Sequence, residues 1–367
     1  MNTPPQKLRA RDIGLKFPGT PATLNAITDV KGVSVGYTTL IEGHGKLVVG
    51  KGPVRTGVTA ILPRPVNDIC QPVFAGMFSL NGNGEMTGSH YIEEVGKFAL
   101  PVTITNTHSC GIARDATIRW AAKQFPDYFE GEFALPVAAE TYDGFLNDIN
   151  GMHITADHVE EAIVNATSGA VDEGSVGGGT GMKCFDFKAG SGTASRVIQY
   201  AGTDYTLGTF VQANFGDRAD LKILGQPIGQ FLAEPPILQN TRDSHLSSII
   251  VIIATDAPLL PHQLKRLARR ATFGIGNTGG FAHHGSGDIF LAFSTANTYA
   301  TPGRTEEVLL SRHIPDEHMD PLFAAVVQST EEAILNSLIA NRDMNGRDGN
   351  FVPALPHEAL KSAMGIY

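Results

Sequence analysis

The sequence predicts a layered α/β domain, with sheets buried beneath amphipathic helices. Three observations carry that reading. The run Ser248-Ile249-Ile250-Val251-Ile252-Ile253-Ala254-Thr255 is apolar without alternation, the pattern of a strand covered on both faces. Shorter apolar runs are punctuated by glycine turns, as strands are. Longer segments repeat apolar residues every three to four positions, as helices with one dry face do.

The elements follow in order. Residues 1–24 read as a leading arm. Ile27-Thr28-Asp29-Val30-Lys31-Gly32-Val33-Ser34-Val35-Gly36 and Thr56-Gly57-Val58-Thr59-Ala60-Ile61-Leu62-Pro63 read as strands bounded by turns. Ile112 to Phe125 reads as a helix with Ile112, Ala116 and Trp120 on one face. A strand is expected from Ala134 to Ala139. Ala156 to Ala166 reads as a helix that buries Val159 and Ile163 and leaves Asp157, Glu160 and Glu161 in water, acids near its positive end. Residues 168–192 are dense in glycine, and strands follow at 195–201 and 206–213. Residues 231–246, with Pro235 and Pro236, read as an exposed connection. Beyond the central run a helix is expected from His262 to Phe273, with Leu264, Leu267, Ala268 and Ala271 inward and Gly274 as its stop. A strand at 288–295 and a helix at 319–341, with Leu322, Val326, Ala333, Ile334 and Leu338 inward, complete the pattern. Neither a repeat nor a linker divides the chain, so residues 1–367 are expected to form one domain.

Composition excludes several function classes. The formal net charge is −9 and no basic stripe stands out, which argues against nucleic acid as a partner. The absence of a run of about 18 apolar residues argues against a membrane partner. Met1-Asn2-Thr3-Pro4-Pro5-Gln6 lacks the apolar core of a secretion signal. Cys70, Cys110 and Cys184 are far apart and odd in number, so neither a disulfide framework nor a zinc site is expected. A reducing, cytoplasmic setting is the expectation.

Three motifs point elsewhere and fail on context. Gly274-Ile275-Gly276-Asn277-Thr278-Gly279 spells a dinucleotide fingerprint, but it follows a helix and enters a loop, whereas the fingerprint must follow a strand and open a helix. Gly177-Gly178-Gly179-Thr180-Gly181-Met182-Lys183-Cys184 lacks the ending of a phosphate loop. His283-His284 has no carboxylate or further histidine at metal-site spacing, and reads as polar loop; no metal is expected.

Ser248 stands where a polar connection meets the most apolar strand. A hydroxyl there is held rigidly on one side and open on the other. Attack of that hydroxyl on the Ser247 carbonyl would turn the peptide into an ester and, after hydrolysis, leave Ser248 with a free α-amine. Such an amine, with a pKa of about 8, can serve as general base for its own hydroxyl.

The surrounding residues sharpen this reading. Asn25-Ala26-Ile27-Thr28-Asp29-Val30, Leu80-Asn81-Gly82-Asn83-Gly84-Glu85-Met86-Thr87-Gly88, Ala139-Glu140-Thr141-Tyr142-Asp143-Gly144, Gly177 to Met182, Val211-Gln212-Ala213-Asn214, Ser248-Ile249-Ile250-Val251, Ala254-Thr255-Asp256-Ala257-Pro258-Leu259 and Ser286-Gly287-Asp288-Ile289-Phe290 occur in that order. On these stretches the chain resembles, nearly end to end, the DmpA family of L-aminopeptidase D-amidase/D-esterases, which includes the β-peptidyl aminopeptidases. The resemblance implies a four-layer αββα sandwich of the N-terminal-nucleophile kind, with its own strand connectivity. It implies a chain cut into 1–247 and 248–367, assembled as a homo-oligomer, typically a tetramer of cleaved pairs, with no cofactor. The expected activity is a self-processing serine aminopeptidase, amidase or esterase acting on short peptides, amino-acid amides or esters, D- and β-residues included. By the same resemblance Ser248 is the nucleophile, Ser286 and Asp288 orient it, Asn214 and Tyr142 contact the reacting centre, and Glu140 holds the substrate ammonium.

One departure bears on the cut. The family usually has glycine before the nucleophile, and this chain has Ser247, which adds a Cβ and a competing hydroxyl where backbone strain is used. Slower processing, no processing and a cut after Leu246 are all left open. So are two other functions: an uncut relative that binds an amine-bearing small molecule, and a self-cleaving acyltransferase.

Overall fold

The computed structural model describes residues 7–232, 247–298 and 308–366. The first six residues of the arm, the connection from 233 with Pro235 and Pro236, and Leu246 lie outside them. The first half of the chain forms β1 (Ser34–Glu42), β2 (Val54–Leu62), β3 (Val73–Gly82), α1 (Ser89–Val95), β4 (Lys97–Phe98), β5 (Val102–Asn106), α2 (Cys110–Gln124), α3 (Pro126–Phe129), β6 (Ala138–Thr141) and α4 (Ala156–Val164). The second forms β7 (Lys183–Cys184), β8 (Phe187–Lys188), β9 (Ser191–Tyr200), β10 (Thr203–Asn214), β11 (Ser247–Thr255), α5 (Pro261–Asn277), β12 (Ser286–Ser294) and α6 (Asp320–Ile339).

Two sheets stack face to face. One has four strands in the order β1-β2-β5-β6, the other six in the order β4-β3-β12-β11-β10-β9. Ile61, Ile104 and Ala139 of the first meet Phe210, Ile250, Ile252 and Leu291 of the second in the core between them. The outer face of the small sheet, with Val58, Ala60 and Leu62, is covered by Ala113 and Trp120 of α2 and Val159 and Ile163 of α4. The outer face of the large sheet, with Ile249, Val251 and Ile253, lies under Leu264 and Leu267 of α5 and Val326 and Ile334 of α6. The result is the αββα sandwich that the resemblance implied.

The central apolar run is strand β11, buried at every residue from Ser248 to Thr255. It runs antiparallel to β10 and parallel to β12. A parallel pair needs a crossover, and α5 supplies it.

Several sequence readings are corrected. Ile27–Asp29 is a 3₁₀ turn and not the start of a strand. The Asp29 carboxylate accepts from the Leu24 and Ala26 N–H groups, a local alternative to sheet pairing that aspartate offers readily. The strand expected from Ala134 lies at Ala138–Thr141, so Glu140 sits within it. Helix α5 does not stop at Gly274 but continues to Asn277. Glycine is used there for proximity, because a Cβ on Gly274 would press on the Val327 carbonyl and Thr330 of α6. The dinucleotide-like motif therefore begins inside a helix. In the phosphate-loop lookalike, a Cβ on Gly178 would collide with the Ile104 carbonyl, so this glycine lets the segment lie against β5. Strands β3 and β5 escaped the sequence reading: Gly76 interrupts the first and the second spans five residues.

The leading arm is tied down by buried charge. Glu332 on α6 is fully buried and receives Arg11 at 2.7 Å and Arg196 at 2.7 Å, with the Asn25 amide at 2.6 Å. Burial alone would raise its pKa. The Arg11 hydrogen bond, the Arg196 charge and the Asn25 amide overcome that and hold it below the ordinary carboxylate range. Loss of one partner of a buried pair strands the others. Glu332→Ala is therefore expected to cost about 3–5 kcal/mol, read as a lower urea midpoint. In the unsubstituted protein the contribution is present above the unfolded carboxylate pKa and is lost as pH falls through the depressed folded value.

Candidate active site

Register places the site residues. Ser248, the second residue of β11, lies opposite Asn214, the last residue of β10. On the other side Ser247 pairs with Ser286 and Ser248 with Gly287, at the start of β12. The strand ends of the large sheet thus converge on the peptide between Ser247 and Ser248. The small sheet contributes from across the core: β6 ends at Thr141 and brings Glu140 and Tyr142 to the same end.

A cleft of about 350 Å³ opens between them, lined by Glu85, Thr107, Glu140, Tyr142, Ser247 and Ser248 among others. Ser248, Ser286, Asp288, Asn214 and Glu140 are all buried. Ser286 and Asp288 are two apart on one strand, hence on one side of it. The Ser286 hydroxyl donates to Asp288 Oδ1 at 2.7 Å. The Asn214 side chain is held at both ends: its Oδ1 accepts the Lys183 N–H at 3.1 Å and its Nδ2 donates to the Tyr142 carbonyl at 2.9 Å. Glu140 Oε1 accepts the Glu85 N–H at 2.9 Å. The Ser248 hydroxyl donates to the Ser247 carbonyl oxygen at 2.6 Å. The nucleophile candidate is thereby already against the group it would attack.

Burial sets the electrostatics. It lifts the Asp288 carboxyl to about 6, moderated by the Ser286 hydroxyl, the nearby Ile249 N–H and the charge of His283. Glu140 is also raised by burial, against the Thr107 hydroxyl and the Glu85 N–H. Two polar atoms at the site are buried without a direct partner, Asp288 Oδ2 and Ser247 Oγ. Such atoms are costly unless something reaches them in another state of the site.

All seven residues singled out in the sequence meet at this end of the sandwich. Thr107, Glu85 and Lys183 were not singled out; their contacts come from a 3₁₀ turn, a loop and a ribbon whose positions no local pattern announces. His283-His284 also has a neighbour that spacing did not reveal. His283 Nε2 lies 3.6 Å from the exposed Asp217 carboxylate, with Asp220 within reach.

A four-layer αββα sandwich with a serine at the head of its central strand is the architecture of the N-terminal-nucleophile hydrolases. Peptidase family S58 matches residues 25–352, and the chain belongs to that family; it is a peptide hydrolase. It is 49% identical over 372 residues to a β-peptidyl aminopeptidase, BapA, of Sphingosinicella microcystinivorans, covering 98% of this chain and 92% of that protein. The fold matches the L-aminopeptidase D-Ala-esterase/amidase of Ochrobactrum anthropi, described as a prototype of the serine aminopeptidases and a new variant of the Ntn-hydrolase fold. The TM-score is 0.91 and the identity 48%, over 97% of this chain and 98% of that one. A Burkholderia sp. β-aminopeptidase matches with a TM-score of 0.90 and 44% identity, covering 98% of both chains.

The Ser286 hydroxyl bonds most strongly to an ionised Asp288 carboxylate. Hydrolysis that uses the Ser286–Asp288 pair is expected to fall as pH drops through about 6. Asp288→Asn should abolish that acid limb and lower kcat/KM by about 10²–10⁴-fold; a pH–rate profile of both proteins checks this.

Proposed function

We propose that this peptidase is a self-processing serine aminopeptidase, cut between Ser247 and Ser248, with Ser248 as nucleophile in both the cut and the later turnover. The observation that carries the reading is the 2.6 Å contact from the Ser248 hydroxyl to the Ser247 carbonyl oxygen at the mouth of the cleft. Attack on the Ser247 carbonyl carbon moves the acyl group to Ser248 Oγ. In that shift the Ser247–Ser248 C–N bond breaks and the freed amine takes up the hydroxyl proton; water then hydrolyses the ester, releasing residues 1–247 as a carboxylic acid and restoring the Ser248 hydroxyl. In turnover the same hydroxyl attacks the substrate carbonyl, its proton passing to the new amine or towards the Ser286–Asp288 pair. The amine of the leaving group departs protonated, and water resolves the ester.

The other residues take roles that their contacts support. Asn214 presents a fixed amide donor to the oxyanion, since one Nδ2 hydrogen serves the Tyr142 carbonyl and the second is left for substrate. Glu140, a buried carboxylate facing the cleft, pairs with the ammonium of the substrate and so measures one residue from a free amine. The substrates are short peptides or amino-acid amides with a free amine, and the β-peptidyl and D-Ala relatives support acceptance of non-standard first residues. The functional form would be a homo-oligomer of cleaved pairs in the cytoplasm, without a metal or organic cofactor.

The intact mass of the denatured protein tests the cut. Two fragments, 1–247 and 248–367, are expected, and Ser248→Ala should yield one uncut chain without turnover. Ser247→Gly should speed processing by removing a Cβ beside the carbonyl under attack and widening the backbone conformations open to it. An uncut wild-type chain without amidase activity would favour a binding protein instead, and diversion of product by added amines an acyltransferase.

A further inference from the structure

Lys188 is fully buried in β8, yet among the described residues no carboxylate pairs with it. Its ammonium donates to two backbone carbonyls, Met182 O at 2.6 Å and Ala189 O at 2.7 Å. Burial, with Lys7 nearby, pushes its pKa well below the ordinary lysine value. A buried cation without an anion is a costly way to hold a loop, because burying a charge is offset only by good partners.

The choice of carbonyl gives the arrangement its meaning. Met182 C=O and Lys183 N–H are opposite ends of one peptide group. The carbonyl accepts from Lys188, and the N–H donates to Asn214 Oδ1 at 3.1 Å. Hydrogen bonds in series polarise one another: a donor drawing electron density through the carbonyl makes the N–H beyond it a stronger donor. The ribbon β7–β8 pairs Lys183 with Lys188, which keeps the two ends of this relay in step. At its far end the Asn214 amide is held with Oδ1 turned inward and Nδ2 on the Tyr142 carbonyl. Without the relay one of the two bonds that set the amide is weakened, and the flipped amide, with its oxygen towards developing negative charge, gains population.

We propose that Lys188 is a positioning residue for hydrolysis, acting through the Met182–Lys183 peptide to fix the orientation of the Asn214 amide. The inference rests on the oxyanion role proposed for Asn214, and the experiment separates the two.

Lys188→Met, Asn214→Ala and the double variant are compared by steady-state kinetics on an amino-acid p-nitroanilide that the unsubstituted protein hydrolyses. Rates are normalised to the cut fraction seen by intact mass. Asn214→Ala is expected to lower kcat by about 10²–10³-fold. Lys188→Met should lower kcat by about 10- to 10²-fold, the scale of a displaced catalytic group, with KM within about twofold. In the Asn214→Ala background the same substitution should cost less than about twofold, because both act on one interaction. An equal loss in both backgrounds, a loss confined to KM, or full kcat in Lys188→Met would overturn the relay while leaving Asn214 in place. Full kcat in Asn214→Ala would overturn the oxyanion reading and the relay with it. Should Lys188→Met not fold, a backbone ester in place of the Met182–Lys183 amide removes the same N–H and keeps the lysine. A comparable kcat loss is expected, and retained kcat counts against the proposal.

Discussion

The structure depends on the burial of one strand on both its faces. Strand β11 carries Ile250 and Ile252 into the core between the sheets, and Ile249, Val251 and Ile253 into the layer beneath α5 and α6. A strand dry on both sides cannot slip, since a shift of one residue would exchange every side chain between two differently shaped cores. Its register with β10 and β12 is therefore strongly specified, and with it the pairing of Ser248 with Asn214 and of Ser247 with Ser286. The precision of the site is borrowed from a hydrophobic constraint that extends away from it.

At the open end of that strand the priorities reverse. The apolar interior stops, and Ser248, Asn214, Ser286, Asp288 and Glu140 occupy positions where hydrocarbon would pack better. Stability is given up there: Asp288 is lifted to about 6 and keeps one oxygen without a direct partner. The surrounding polar bonds are mostly to backbone, as in the Asn214 contacts with Lys183 and Tyr142. Backbone partners move little, so they orient a side chain more firmly than other side chains would.

The arm that precedes the first sheet adds a different restraint. Arg11 and Arg196 converge on the buried Glu332, while Arg9 reaches Glu173 at 2.6 Å. These pairs join the start of the chain, strand β9 and helix α6, segments far apart in sequence. Buried ionic contacts of this kind select one arrangement, because any other leaves a charge without its partner.

Much of this was legible in the chain itself. The unbroken apolar run 248–255, the periodic helices expected at 262–273 and 319–341, and the ordered motifs around Ser248 and Ser286 determined an α/β fold, the family and the candidate nucleophile, because burial and local chemistry leave direct marks on residue type. What local pattern could not express was decided by the tertiary structure. Gly274 looked like a helix stop, yet serves the approach of two helices. Ile27–Asp29 looked like a strand, yet an aspartate claims its backbone. Lys188 carried no mark at all, and only folding brings its ammonium to the peptide that touches Asn214. Propensity and periodicity report on neighbours along the chain, whereas the polar geometry of this site is made by segments that meet only when two sheets close on each other.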